Sequence, residues 1–140
     1  MAEITIFHNP ACGTSRNVLA LLRHAGLQPQ VVEYLKTPPT KEQLRKLLAD
    51  MDMPVRGLLR QKGTPYAELG LDDAKWSDEQ LLDFVVQHPV LMERPVVVTP
   101  LGTKLCRPME EVLEILPVGP IAPFTKSDGT VVQDAGRRGA

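Results

Sequence analysis

Ile4-Thr5-Ile6-Phe7-His8-Asn9-Pro10-Ala11-Cys12-Gly13-Thr14-Ser15-Arg16 is the stretch that decides how this chain folds. Residues 3–7 read as a short strand, and Pro10 and Gly13 break it. From Ser15 the apolar residues Val18, Leu19, Leu21, Leu22 and Ala25 recur at helical spacing until Gly26 stops them, which predicts a helix over 15–25. Cys12 therefore stands where a strand ends and a helix begins. Backbone N–H groups of a first helical turn have no partner inside the helix, and the macrodipole adds partial positive charge, so a sulfur placed there is favoured as a thiolate. Gly13 permits close backbone approach by a ligand, and the hydroxyls of Thr14 and Ser15 can cap the helix or bond an oxyanion.

The competing reading of Cys12 is a buried small hydrophobe. A packing cysteine belongs within the apolar run, whereas Cys12 lies past it among Pro, Gly, Thr and Ser. His8 and Arg16 are the nearest cations that could lower its pKa, although His8 reads equally well as a hydrogen-bonded histidine at a strand end.

With 140 residues and 43% hydrophobic content the chain suits one domain with one core. A net charge of −1 leaves no basic footprint for nucleic acid, so any anion site must be local. No apolar stretch is long enough to span a bilayer and no signal segment stands at the N-terminus, from which no membrane association and a cytoplasmic location are expected. Two cysteines cannot make a disulfide scaffold. Three histidines, at positions 8, 24 and 88, are scattered, so neither a metal nor a bound cofactor is expected.

Residues 30–34 offer a second strand, which makes a β-α-β start with parallel strands and puts Cys12 at the carboxyl end of the first, where open α/β folds bind ligands. After Thr37-Pro38-Pro39, Thr40 and Gln43 form a capping-box pair ahead of Leu44, Leu47, Leu48 and Met51. Pro54 opens a short helix ending near Arg60, Thr64-Pro65 and Gly70 bracket another, and Ser77 with Gln80 caps a helix carrying Leu81, Leu82, Phe84 and Val85. Strand character returns at 96–99, and the turn Pro100-Leu101-Gly102 leads into 103–106, a hairpin. Pro108 starts a last helix through Val112, Leu113, Ile115 and Leu116. From 118 onward Gly, Pro and charge dominate. A loosely ordered tail over 118–140 is expected, with Val131-Val132 as no more than a weak docking contact.

The order strand, helix, strand, then hairpin and helix resembles the thioredoxin-like fold. The expected class is α/β, a mixed four-stranded sheet in one domain over 1–117, with a helical insertion over about 40–89 between its βαβ and ββα halves. Residues 8–16 resemble the signature of the glutaredoxin-dependent arsenate reductases. The likeness continues through Tyr34-Leu35-Lys36-Thr37-Pro38-Pro39-Thr40, Arg56-Gly57-Leu58-Leu59-Arg60, and the stretch from Arg94-Pro95-Val96-Val97-Val98-Thr99 to Cys106-Arg107-Pro108. It covers nearly the whole chain up to Leu116. The resemblance implies that Cys12 attacks arsenate, that Arg60, Arg94 and Arg107 bind the oxyanion, that His8 helps hold the thiolate, and that the Arg94–Pro95 bond is cis. Arg94 and Arg107 each precede a proline at a strand boundary, and bidentate anion recognition favours Arg over Lys. Arg60 rests on the resemblance alone.

The same resemblance names glutathione as co-substrate and glutaredoxin as partner. A monomer is expected. The residues agree with an external thiol: Ser15 occupies the place of the second cysteine of a Cys-X-X-Cys motif, and Cys106 reads more readily as a packed small residue than as a resolving thiol. Position 18 is Val, so the Cys-X5-Arg loop of phosphatase-like arsenate reductases is absent. Ser15 also removes the dithiol switch of related regulators that bind RNA polymerase. A monothiol glutaredoxin-like role that binds an oxyanion or a protein without reducing arsenate stays open at this point.

Overall fold

The apolar run after Glu3 forms strand β1, Thr5–His8, which leads into helix α1, Gly13–His24, and back through β2, Gln30–Glu33. A hairpin of β3, Val96–Thr99, and β4, Gly102–Leu105, completes a four-stranded sheet in the order β2-β1-β3-β4. The computed structural model describes residues 3–134. In it β1 runs parallel to β2 and antiparallel to β3, and β3 antiparallel to β4, which is the mixed sheet of the thioredoxin-like fold. Register sets Ile6 opposite both Val31 and Val97. Ile6 and Val97 are fully buried in a core with Val18, Leu21 and Leu22 of α1, each large side chain contributing about 1.5–3 kcal/mol. Gly26, at φ 82°, ends α1 in a Schellman turn: its N–H donates to the Arg23 carbonyl, and the Leu27 N–H to that of Leu22.

Two expectations for this part of the chain change. The last helix is a 3-10 segment, Met109–Ile115. Its buried residues, Met109, Val112 and Ile115, repeat every third position, the period of a 3-10 turn, which stacks them in one row. Residues 118–134 are not a loose tail. Phe124–Thr125 (β5) and Val131–Val132 (β6) pair as a small antiparallel hairpin, and Phe124 and Val132 are buried in the same core as Ile6. Glycine and charge belong to the turn over 126–130 and the prolines precede β5, and together they hide the two anchors. The part of the expected tail over 135–140 lies outside the described residues. Arg94–Pro95 is cis, and so is Arg107–Pro108, which the sequence reading did not anticipate.

The segment Tyr34–Glu93 is a compact unit of its own, distinct from the unit built by the residues before and after it. It contains α2, Lys41–Met51, α3, Val55–Leu58, and α4, Asp78–Gln87, followed by a 3-10 turn at Pro89–Leu91. Both expected capping boxes are formed, Thr40 with Gln43 and Ser77 with Gln80. Lys41 and Arg45 of α2 pair with Glu79 of α4, and Lys41 also with Asp83. Residues 64–70 make one helical turn and no helix: Leu69 N–H reaches the Pro65 carbonyl, but Leu71 N–H already reaches back to Tyr66, closing around Gly70 at φ 66°. Arg56 then ties this turn to α3 by donating to the carbonyls of Leu71 (2.8 Å) and Asp73 (2.9 Å).

Candidate active site

The loop between β1 and α1 is held by its own side chains. Asn9 Oδ1 accepts from the Ala11 N–H at 2.9 Å and the Asn9 carbonyl from the Cys12 N–H at 3.0 Å, a local turn that delivers Cys12 to the N-cap of α1 with extended backbone angles. Ser15, fully buried in the first turn, reaches back under the loop. Its Oγ accepts from the Asn9 N–H at 3.1 Å and lies 2.6 Å from His8 Nδ1. The imidazole tautomer sets which of the two groups donates across the His8–Ser15 contact.

Cys12 is buried at 8% exposure. Burial is the largest single influence on its thiol and opposes ionisation. It is outweighed by a hydrogen bond from Arg94, the Ser15 backbone N–H, the charge of Arg94 and a hydrogen bond from Arg107, so the pKa lies below its ordinary value. Arg107 Nη1 lies 3.6 Å from Cys12 Sγ and also donates to the Arg94 carbonyl at 3.1 Å, which fixes the guanidinium beside the sulfur. Thus Arg94 and Arg107, 82 and 95 residues further along the chain, converge on Cys12. No acidic residue stands in the first turn of α1 to offset the helix terminus.

His8 and Arg16 take other roles than the nearest cations to Cys12. Burial, the largest influence on His8, holds its pKa below the ordinary histidine value against the opposing charge of Glu33, with Arg23 and Arg16 adding to the depression. The imidazole is a member of the Ser15 network. The Arg16 guanidinium donates to the Pro10 carbonyl at 2.8 Å and braces the loop from its exposed side. Cys106 is fully buried, its thiol pushed up to about 12 by burial, with Sγ 3.6 Å from the Lys104 carbonyl. That environment is one of packing.

Arg60 belongs to the 34–93 unit. Its Nη1 donates to Glu93 Oε1 at 2.9 Å and its Nε to the Lys62 carbonyl at 3.1 Å. Sequence reading missed two residues of consequence, Ser15 as the bridge between His8 and the loop, and Glu93 as the partner of Arg60. For Ser15 the signal was present: a hydroxyl in the third helical position can turn back to the strand end. Glu93 carries no local signal, since its partner lies 33 residues earlier in the chain. Among the described residues no group of three or more His, Cys, Asp or Glu side chains could hold a metal ion, and no helix is long and apolar enough to cross a membrane.

A thioredoxin-like sheet whose first strand–helix junction carries one cysteine, with serine in place of a second and two arginines on the sulfur, defines a monothiol protein of the thioredoxin-like class. Within that class the ArsC family model matches residues 7–115, and the chain belongs to that family. It is 58% identical over 139 residues to an arsenate reductase of Escherichia coli, covering 99% of both chains. It is also 58% identical over 133 residues to an arsenate reductase of Rhizobium meliloti (strain 1021), covering 95% of each. The solved structure of an arsenate reductase from Vibrio cholerae matches with a TM-score of 0.78 at 43% identity, over 81% of this chain and 98% of that one.

Proposed function

We propose that this chain is an arsenate reductase in which Cys12 is the nucleophile, Arg94 and Arg107 bind the oxyanion at the sulfur, Arg60 is a third oxyanion ligand, and His8 supports the thiolate through Ser15. The observation that carries the reading is the convergence of Arg94 and Arg107 on a thiol of lowered pKa in a member of the ArsC family. A thiolate between two guanidinium groups is equipped for an anionic electrophile: the cations offset the repulsion between nucleophile and substrate and orient the central atom for attack. The role of Arg60 follows from the family resemblance.

In the proposed sequence the Cys12 thiolate attacks arsenic(V), a sulfur–arsenic bond forms, and one oxygen leaves as water or hydroxide. The thiolate of glutathione then attacks Cys12 Sγ. A disulfide forms, the sulfur–arsenic bond breaks, and its electron pair passes to arsenic, which leaves as arsenite. Glutaredoxin reduces the resulting mixed disulfide by thiol exchange. Cysteine placement supports the external thiol, because Ser15 holds the resolving position and Cys106 is buried as a protonated thiol. Glutathione acts as co-substrate with no bound cofactor, and the protein works as a cytoplasmic monomer.

A coupled assay tests the reading: NADPH consumption with glutathione, glutathione reductase and glutaredoxin should depend on arsenate and vanish in Cys12→Ser. Mass spectrometry after a single turnover should find one glutathione on Cys12. Arsenate-independent reduction of a glutathionylated substrate would favour a monothiol glutaredoxin-like role instead, and a trapped Cys12–Cys106 disulfide would overturn the glutathione route.

A further inference from the structure

The Arg60 guanidinium is already occupied on two of its edges. Nη1 is bonded to the Glu93 carboxylate and Nε to the Lys62 carbonyl, while among the described residues Nη2 makes no hydrogen bond. The pair is held from the backbone as well. Leu59 and Met92 form an antiparallel bridge, flanked by the Arg60 N–H donating to the Leu91 carbonyl at 2.7 Å and the Glu93 N–H donating to that of Leu58 at 2.8 Å. Thr64 Oγ1 donates to the Arg60 carbonyl at 2.7 Å and fastens the following turn. The two side chains are 19% and 17% exposed, so this contact is sheltered from the screening that makes exposed ion pairs weak.

An anion that binds Arg60 therefore meets a guanidinium whose charge is already balanced. Arg60 offers directional N–H donors without net charge, and a dianion arriving at it is repelled by the Glu93 carboxylate more strongly than a monoanion is. We propose that Glu93 is the resident counter-ion of Arg60, a positioning residue that holds the guanidinium with its Nη2 edge available and at the same time limits how tightly the enzyme binds doubly charged arsenate. This rests on the reading of Arg60 as an oxyanion ligand.

The test is the arsenate dependence of the coupled assay for the wild type, Glu93→Gln, Arg60→Ala and the double variant, each above and below the pH of arsenate's second ionisation. Glu93→Gln keeps the hydrogen bond and removes the charge. It should lower KM for arsenate about three- to tenfold with kcat little changed, and more where the dianion predominates. Arg60→Ala should raise KM, and Glu93→Gln should lower it again in that background, because the carboxylate left without its partner still repels the anion. A general loss of folding would not move KM and kcat apart or follow the charge of the substrate. If Arg60→Ala raises KM while Glu93→Gln leaves it unchanged or raises it, the counter-ion role is overturned and the Arg60 ligand role stands. If Arg60→Ala leaves KM unchanged, both fall. Should Glu93→Gln not fold, Glu93→Asp takes its place: withdrawing the carboxylate by one methylene should lower KM by a smaller factor, and an unaltered KM overturns the proposal.

Discussion

The two cysteines show how far position outweighs composition. Both are buried, yet Arg94, the Ser15 N–H and Arg107 overcome the burial of Cys12, while nothing comparable offsets the burial of Cys106. Iodoacetamide should therefore alkylate Cys12 with a pH midpoint on the acid side of an ordinary thiol, and Cys106 only after unfolding. Peptide mass mapping across a pH series checks both. The sign of the stability effect follows from the same shift: with the folded pKa below the unfolded one, ionisation of Cys12 adds stability above the unfolded value, and this is lost as pH falls through the folded value. The stability advantage of the wild type over Cys12→Ser should accordingly grow with pH across that window, measured by urea unfolding.

At the scale of elements, the β1–α1 junction depends on a serine that never touches substrate in the proposed mechanism. Ser15→Ala leaves the Asn9 N–H and His8 Nδ1 without their buried partner, which should cost about 1–3 kcal/mol in urea unfolding. The two arginines reach the same junction from the ends of the β3–β4 hairpin, Arg94 just before β3 and Arg107 just after β4. Arg107→Lys retains the charge but loses the planar guanidinium whose Nη1 meets both the Arg94 carbonyl and the sulfur. Loss of one charge-assisted contact, about 1.5–3 kcal/mol, should raise KM for arsenate roughly tenfold to a hundredfold. A near-normal KM would show that charge alone suffices at this position.

For the molecule as a whole, residues after Leu116 contribute to the core. Phe124 is 8% exposed, stacks edge-on against His24 with ring centroids 5.4 Å apart, and shares the core cluster with Val132. Phe124→Ala should destabilise the protein by about 3 kcal/mol in urea unfolding, with truncation after residue 117 costing at least as much. A truncated chain with unaltered stability would show that the hairpin is a passenger.

What could be read directly in the sequence is what short-range physics controls. Apolar periodicity located β1, α1 and β2, the Thr40–Gln43 and Ser77–Gln80 pairs marked two helix starts, and Pro-Ala-Cys-Gly after a strand put Cys12 at a helix terminus. Long motifs in a fixed order pointed to the family. Tertiary structure alone decided which charges meet. Arg94 and Arg107 reach Cys12, and Glu93 reaches Arg60, because strand register and backbone bridges bring distant positions together, and no local pattern encodes such a meeting. It also decided that Met109–Ile115 winds as a 3-10 turn and that Phe124 and Val132 are core residues, since both follow from the shape of the apolar surface they must cover. Burial, too, is a property of the assembled fold: it makes one cysteine inert and leaves the other dependent on the arginines beside it, although a helix terminus and a strand end are all that the sequence by itself assigns to them.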